Sequence, residues 1–464
     1  MSPIFRLNID IFGFFPYYSI RNIILNDRKV KEMTLTEIKN CPCGRIHRSS
    51  VNKLILGSGV LEQLPELVKP YAKPFLLADV HTYAAAGKRV AELLEEAGKP
   101  YSLHIFENEA LKPDEETIGS AVMHFDHSCD AVIAVGSGVL NDTGKILAAL
   151  AGKPYIIVGT APSMDGYASA SSSVERDGLK ITLPSKCPDI VIGDTAILKD
   201  APMRMLVSGL GDMLAKYISI CEWRLSHIIT GEYYCEAVAG MVRSALNKCV
   251  KHADGLLKRD ESAVQAVFEG LVLGGAAMEY AGMSRPASGV EHYFSHIWYM
   301  RGLEFGTPVD LHGIQCAVGT LYAAEIYDFL RTYTPDKQKA LDYVKRFDYE
   351  AYKEDLRTFL GKGAQAMIAL EQKEQKYDVQ KHAERLEIII DRWPDIQKII
   401  AEEVPHAEDI RALLRKIGAP ERARDIGLDE RDLPRVFHAT KDIRDKYVLS
   451  RLCFDLGIID EIKF

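Results

Sequence analysis

Neither a membrane span nor a secretory signal is expected, even where the composition most invites one. The stretch from Ile4 to Leu25 is rich in Ile, Phe and Tyr, but Arg6, Asp10 and Arg21 interrupt it, Gly13 and Pro16 break it, and no small-residue cleavage site follows. Positive charge is not in excess. The 57 Lys and Arg stand against 65 Asp and Glu, a net charge of −8, so no general attraction to nucleic acid or to an anionic membrane is expected. A disulfide framework is missing too. The nine cysteines are odd in number, scattered and mostly set in apolar or helical stretches, which suits reduced thiols in a cytoplasm. Internal repeats and low-complexity segments are absent.

One cysteine group stands apart, Cys41-Pro42-Cys43-Gly44 followed by His47. It has the makings of half a zinc site, but no second Cys pair follows at finger-like spacing, and a local turn is the preferred reading. Residues 1–33 are read as an N-terminal extension outside the functional part, poorly ordered or docked on the surface, with a membrane anchor as the less favoured alternative. Met33 begins a more conventional sequence.

What is present is the composition of an ordinary globular protein, 47% hydrophobic and 26% charged. At 464 residues the chain exceeds the roughly 250–300 at which one core stops growing, so two domains are expected. From about residue 50 to 195, β-rich runs alternate with helical patterns. Lys73–Ala78, Tyr101–Phe106, Asp130–Val135, Pro154–Val158 and Asp189–Ile192 read as strands buried on both faces, with helices over Thr82–Gly98, Pro113–His127 and Leu140–Ala151. This alternation predicts a Rossmann-like α/β domain, a parallel sheet covered on both faces, over 34–195. Strand signals vanish beyond 196, and apolar spacing of three to four residues recurs as far as about residue 402, which predicts an all-helical domain over 196–464.

Ligands of such sheets sit at the carboxyl ends of the strands. After the strand ending at Val135 come Gly136, Ser137, Gly138, Asn141, Asp142 and Lys145. Glycines at a strand-to-helix turn let the backbone approach a pyrophosphate, although the full Gly-x-Gly-x-x-Gly fingerprint is not there and any tight turn of this kind can use glycine. Asp79 closes an earlier strand, where a carboxylate can accept hydrogen bonds from a ribose and repel a 2′-phosphate. The next loop, Gly159 to Ser169, gathers Thr160, Ser163, Asp165 and Ser169, hydroxyls and a carboxylate that are costly to bury without a ligand. In the helical half, Asp212 lies in Gly209-Leu210-Gly211-Asp212-Met213-Leu214-Ala215-Lys216, and downstream are His292, His296 and His312. His292 and His296 are four apart, on one face of a helix. One carboxylate with two or three imidazoles is a ligand set for Zn, Ni or Fe(II) with positions left open for substrate.

In this order and spacing, the blocks from Gly136 to Asp142, Thr160 to Gly166, Gly209 to Lys216, Ser284 to His292 and His312-Gly313 resemble the sn-glycerol-1-phosphate dehydrogenases, their bacterial AraM-like branch above all. That family lies within the iron-containing alcohol dehydrogenase and dehydroquinate synthase-like superfamily. The likeness runs from about residue 40 to 330. It implies the dehydroquinate synthase-like fold and an oxidoreductase that interconverts dihydroxyacetone phosphate and sn-glycerol 1-phosphate with NAD(H) or NADP(H), in the service of glycerophospholipid metabolism. It implies one divalent metal, Zn or Ni or else Fe, on Asp212, His292 and His312, and cofactor contacts from Gly136, Ser137, Gly138, Asn141, Asp142, Thr160, Ser163, Asp165 and Ser169. Asp165, Asp212 and His296 would meet substrate, with Asp212 and His296 in the catalytic set. Lys145, Lys216 and Arg285 are candidates to hold the substrate phosphate, and a cytoplasmic homodimer is the assembly implied. Rival readings are a glycerol or other polyol dehydrogenase of the same superfamily and a dehydroquinate synthase-like lyase.

Overall fold

The computed structural model describes residues 18–25, 28–35 and 37–464. Among the described residues there are ten strands, β1 (Tyr18–Leu25), β2 (Arg28–Leu35), β3 (Lys53–Gly57), β4 (Pro74–Asp79), β5 (Ser102–Phe106), β6 (Ala131–Gly136), β7 (Tyr155–Gly159), β8 (Ser171–Arg176), β9 (Leu179–Pro184) and β10 (Ile190–Asp194). Eight build one sheet in the order β1-β2-β3-β10-β7-β6-β4-β5, and β8 with β9 forms a separate antiparallel hairpin. The run from β3 to β5 is parallel throughout. Between strands lie α1 (Lys88–Glu96), α2 (Glu115–His124) and α3 (Gly138–Ala151). Asp114 starts α2 by accepting a hydrogen bond from the Thr117 amide at 2.9 Å, the expected chemistry of an acidic helix cap.

Alternation of side chains along the central strands divides the core. Leu54, Leu56, Phe75, Leu77, Val132, Ala134, Ile157 and Val191 face the large core that is continuous with the helical half. Ile55, Leu76, Ile133, Val135, Ile156, Val158 and Ile192 face a smaller core beneath Val60, Leu64, Val90 and Leu94. Burial on both faces is why β4, β6, β7 and β10 read as uninterrupted apolar runs. Tyr101–Phe106 departs from that expectation. As β5 it is the sheet edge, only Phe106 is fully buried, and Leu103 is exposed.

The extension expected over residues 1–33 is in part sheet. β1 and β2 form an antiparallel hairpin, and β2 adds to β3 from Lys31 to Met33. Met33 is fully buried, and Lys31 forms an ion pair with the buried Glu269 carboxylate at 2.6 Å. The remainder of that stretch lies outside the described residues.

After β10 the described residues are helical to the end. Those that matter for the site are α4 (Met203–Leu214), α5 (Lys216–Thr230), α6 (Glu236–His252), α7 (Glu261–Ala281), α8 (Val290–Phe305) and α9 (His312–Thr332). Among the described residues no helix is long and apolar enough to cross a membrane.

Candidate active site

The loops flanking β6 and β7 are brought side by side by strand register, which pairs Gly136 with Gly159. The Thr160 amide donates to the Gly136 carbonyl at 3.1 Å and extends that pairing past the strand ends. Helix α4 is then pressed against this edge by glycines. A Cβ on Gly209 would run into the Pro162 carbonyl, and one on Gly211 into the Gly313 carbonyl at the start of α9. Gly313 has the same relation to the Ser208 carbonyl. Only hydrogen fits at these three points, so α4 is wedged between the 159–169 loop and α9, and Asp212 arrives where both meet.

Asp212 is fully buried. Its Oδ2 accepts from the Asp165 amide at 2.9 Å, and its Oδ1 lies 3.1 Å from Lys216 Nζ and 3.5 Å from His292 Nε2. Burial alone would push this carboxyl up, but Lys216, His292 and His312 outweigh it and hold it well below the usual carboxylate range. His292 stands in the first turn of α8, and its Nδ1 is 2.8 Å from Glu291 Oε1. Because a carboxylate oxygen accepts, Nδ1 carries a proton and Nε2 is the nitrogen turned towards Asp212; burial would lower this imidazole, but Cys316, Asp212 and Glu291 raise it well above its ordinary value. His312 opens α9, with Nδ1 3.2 Å from Ser295 Oγ, and its ring centroid is 4.9 Å from that of His292. Burial, aided by His292, pushes the His312 imidazole down to about 3, which keeps it neutral with a free lone pair.

One carboxylate oxygen of Asp212 and one nitrogen each of His292 and His312 thus lie within 4.8 Å of one another, together with Cys316 Sγ. Cys316 is not among the residues expected from the sequence. Its signal was present, since it stands one turn after His312 on the same face of α9. His296, one turn after His292, is half-buried, with its ring centroid 6.4 Å from that of His312. Its imidazole is held well below the ordinary value by burial first, then by Lys180, His312, His292 and Arg444.

At the sheet edge the expected cofactor residues divide into two groups. Ser137 and Gly138 begin α3, and a Cβ on Gly138 would meet nothing closer than Met164 Cγ at 3.7 Å, so the backbone there is open to approach. Gly136 answers to packing, since its Cβ would clash with Leu140. Asp79 is half-exposed at the end of β4, and its Oδ1 caps the following turn through the Thr82 amide at 2.7 Å. Thr160 and Ser163 line the loop at the strand ends, where the Ser163 carbonyl accepts from Ser208 Oγ at 2.9 Å. Asn141 and Ser169 instead lie behind the loop. Asn141 Nδ2 donates to the Gly166 carbonyl at 3.0 Å while its Oδ1 accepts from Tyr155, and Ser169 Oγ bonds Lys145 Nζ at 3.1 Å.

The three cations expected to hold a phosphate are all committed elsewhere. Lys145 Nζ is fully buried and reaches the Gly166 and Ser171 carbonyls, Ser169 Oγ and Asp142 Oδ1. Lys216 Nζ is taken by Asp165 Oδ2 at 2.6 Å, Asp212 and the Ala287 carbonyl. Arg285 is bound by Glu232, Ser226 Oγ and the Tyr447 carbonyl. All three are therefore structural cations, because an ammonium or guanidinium whose donors are spent inside the protein has none left for a ligand. Two other cations act on His296, Lys180 on β9 and Arg444. Lys180 Nζ lies 4.2 Å from the Tyr299 ring centre, and Arg444 Nη2 donates to Thr182 Oγ1 at 3.3 Å. Neither has a carboxylate within ion-pair distance among the described residues.

Residues 55–202 match the iron-containing alcohol dehydrogenase family. The chain is 32% identical over 394 residues to the glycerol-1-phosphate dehydrogenase (NAD(P)+) of Halalkalibacterium halodurans, covering 84% of this chain and 88% of that one. It is 34% identical over 272 residues to the enzyme of the same name from Methanosarcina mazei, 58% of this chain and 74% of that one. In fold it is similar to a probable glycerol dehydrogenase from Sinorhizobium meliloti, with a TM-score of 0.54 at 18% identity over 88% of this chain and 97% of that one. A 1,3-propanediol oxidoreductase gives 0.57 at 15% identity over 90% and 100%.

Proposed function

Because this chain belongs to the glycerol-1-phosphate dehydrogenase family, we propose that its cleft reduces dihydroxyacetone phosphate to sn-glycerol 1-phosphate, reversibly, with NAD(P)H and one divalent metal ion. Asp212, His292 and His312 suit such an ion, being one ionised carboxylate and two imidazoles gathered around one point. Bound there, the ion supplies Lewis acidity towards the substrate carbonyl, and the nicotinamide supplies the hydride.

The protein's own residues do the rest. Glu291 fixes the tautomer of His292, and Lys216 keeps Asp212 ionised while orienting Asp165. His296 accepts no hydrogen bond from the described residues and is kept neutral, so it can take the hydroxyl proton in the oxidation direction and pass it to solvent, and in reduction relay a solvent proton to the alkoxide oxygen. Ser137, Gly138, Thr160 and Ser163 offer backbone and hydroxyl groups to the cofactor at the strand ends, where the α3 N-terminus favours a pyrophosphate. A homodimer, on the family resemblance, and a cytoplasmic setting, on the unpaired cysteines, complete the proposal.

The observation that favours this reading over a polyol dehydrogenase is the pair Lys180 and Arg444, two cations that act on His296 and have no carboxylate within ion-pair distance among the described residues. An uncharged triol has no use for them, whereas a phosphate dianion does. Each charge-assisted hydrogen bond contributes about 1.5–3 kcal/mol. Lys180→Ala or Arg444→Ala should therefore lower kcat/KM for dihydroxyacetone phosphate by about 10- to 100-fold, with a much smaller loss for dihydroxyacetone. Equal losses on both substrates would contradict the assignment.

A further inference from the structure

We propose that Cys41, Cys43, His47 and Cys235 form a second metal site, a closed structural zinc centre that fastens the segment between β2 and β3 to the helical half. The sequence reading of Cys41–His47 as a local turn holds for the backbone, where the Gly44 amide bonds the Cys41 carbonyl at 2.9 Å with Gly44 at φ +80°. The fold adds a fourth residue that no spacing rule finds, because Cys235, immediately before α6, lies 188 residues beyond His47. The four donor atoms all fall within 4.8 Å of one another.

Three of the six separations come close to those of a tetrahedron. Sulfurs at about 2.3 Å and a nitrogen at about 2.0–2.1 Å from one zinc stand roughly 3.5–3.8 Å apart. Cys41 Sγ is 3.5 Å from Cys235 Sγ, Cys43 Sγ is 3.2 Å from His47 Nε2, and Cys235 Sγ is 3.4 Å from the same nitrogen. None of these is a covalent contact, since a disulfide requires about 2.05 Å. The histidine is oriented for ligation. Its Nδ1 lies 2.8 Å from the Tyr280 carbonyl, which only accepts, so Nδ1 carries the hydrogen and the Nε2 lone pair points among the thiols. Tyr233 adds a hydroxyl 3.3 Å from Cys43 Sγ, suited to donate to a thiolate, and the Arg45 guanidinium lies 3.4 Å from the Tyr233 ring centre.

Cys41, His47 and Cys235 are buried and Cys43 is half-buried. Four protein donors leave no position for substrate, so the centre is structural, and three thiolates with one imidazole select zinc over harder ions. Zinc uptake displaces the thiol protons to solvent. Ser50, just beyond this loop, is held through its amide by Glu279 Oε2 at 2.8 Å, so the metal would sit at a contact the fold already makes with the end of α7.

Cobalt(II) absorption of the full chain tests the proposal, because thiolate-to-cobalt charge transfer absorbs strongly in the near ultraviolet and carboxylate or imidazole ligation does not. Cys316 lies in the other cluster. The band is therefore expected in both wild type and Cys316→Ala, while Cys43→Ser and Cys235→Ala should lose it or lose one thiolate's share. Absence of the band in Cys316→Ala, or a Cys41–Cys235 disulfide in metal-replete protein by peptide mapping, overturns the proposal. If Cys235→Ala fails to fold by circular dichroism, the wild-type and Cys316→Ala spectra decide alone.

Discussion

Lys216 places one buried ammonium between two buried carboxylates, 3.1 Å from Asp212 Oδ1 and 2.6 Å from Asp165 Oδ2. The helical path breaks at Ala215, between α4 and α5, so the lysine one turn beyond Asp212 begins the second helix and reaches back over the first. Removing one partner of a buried ion pair costs about 3–5 kcal/mol because the other charge is left unpaired. Lys216→Met should lower unfolding free energy in urea by about that amount, and Lys216→Met with Asp165→Asn should recover part of it. A loss below about 1 kcal/mol in the single variant would show that the clamp is not what holds the two acids together.

His312 and His296 are predicted to fail differently. His312→Ala should lower the metal content by one ion per chain and abolish most turnover while the circular dichroism spectrum stays close to wild type. His296→Ala should keep its metal and slow by about 10²–10⁴-fold, the usual effect of removing a positioned acid or base. Mass-spectrometric metal analysis beside steady-state kinetics separates them. Metal loss from His296→Ala would make that residue a ligand, and normal turnover in chelator-treated His312→Ala would remove His312 from the site.

Much of this arrangement was readable in the sequence, and the failures have a common cause. The strands β4, β6, β7 and β10 announce themselves because both faces are buried, and the chemistry of Asp212, His292 and His312 is visible as residue type and spacing. The hairpin β8–β9 is not, since Ser171-Ser172-Ser173 and Lys180-Ile181-Thr182 carry little apolar signal and its strands stabilise each other by pairing. Lys145, Lys216 and Arg285 looked like phosphate ligands because a sequence shows a charge without showing its partner. Cys235 escaped for the same reason in reverse, its partners being known and its distance along the chain too great.

Cofactor choice is expected to turn on Asp79. With Oδ1 engaged by Thr82, Oδ2 remains to meet a ribose and to repel a 2′-phosphate, so NADH should be preferred over NADPH. The ratio of kcat/KM for the two cofactors should shift towards NADPH in Asp79→Ser. A wild-type preference for NADPH would take Asp79 out of the ribose site.

The most direct measurement is NADH consumption by the zinc- or nickel-loaded wild type on dihydroxyacetone phosphate and on dihydroxyacetone, with the configuration of the product determined. The account predicts stoichiometric NADH oxidation, kcat/KM at least about tenfold higher for the phosphorylated ketone, as expected from one or more charge-assisted contacts, and sn-glycerol 1-phosphate as the product. Preference for dihydroxyacetone would make the protein a polyol dehydrogenase, and no net loss of NADH with either ketone would contradict a dehydrogenase altogether.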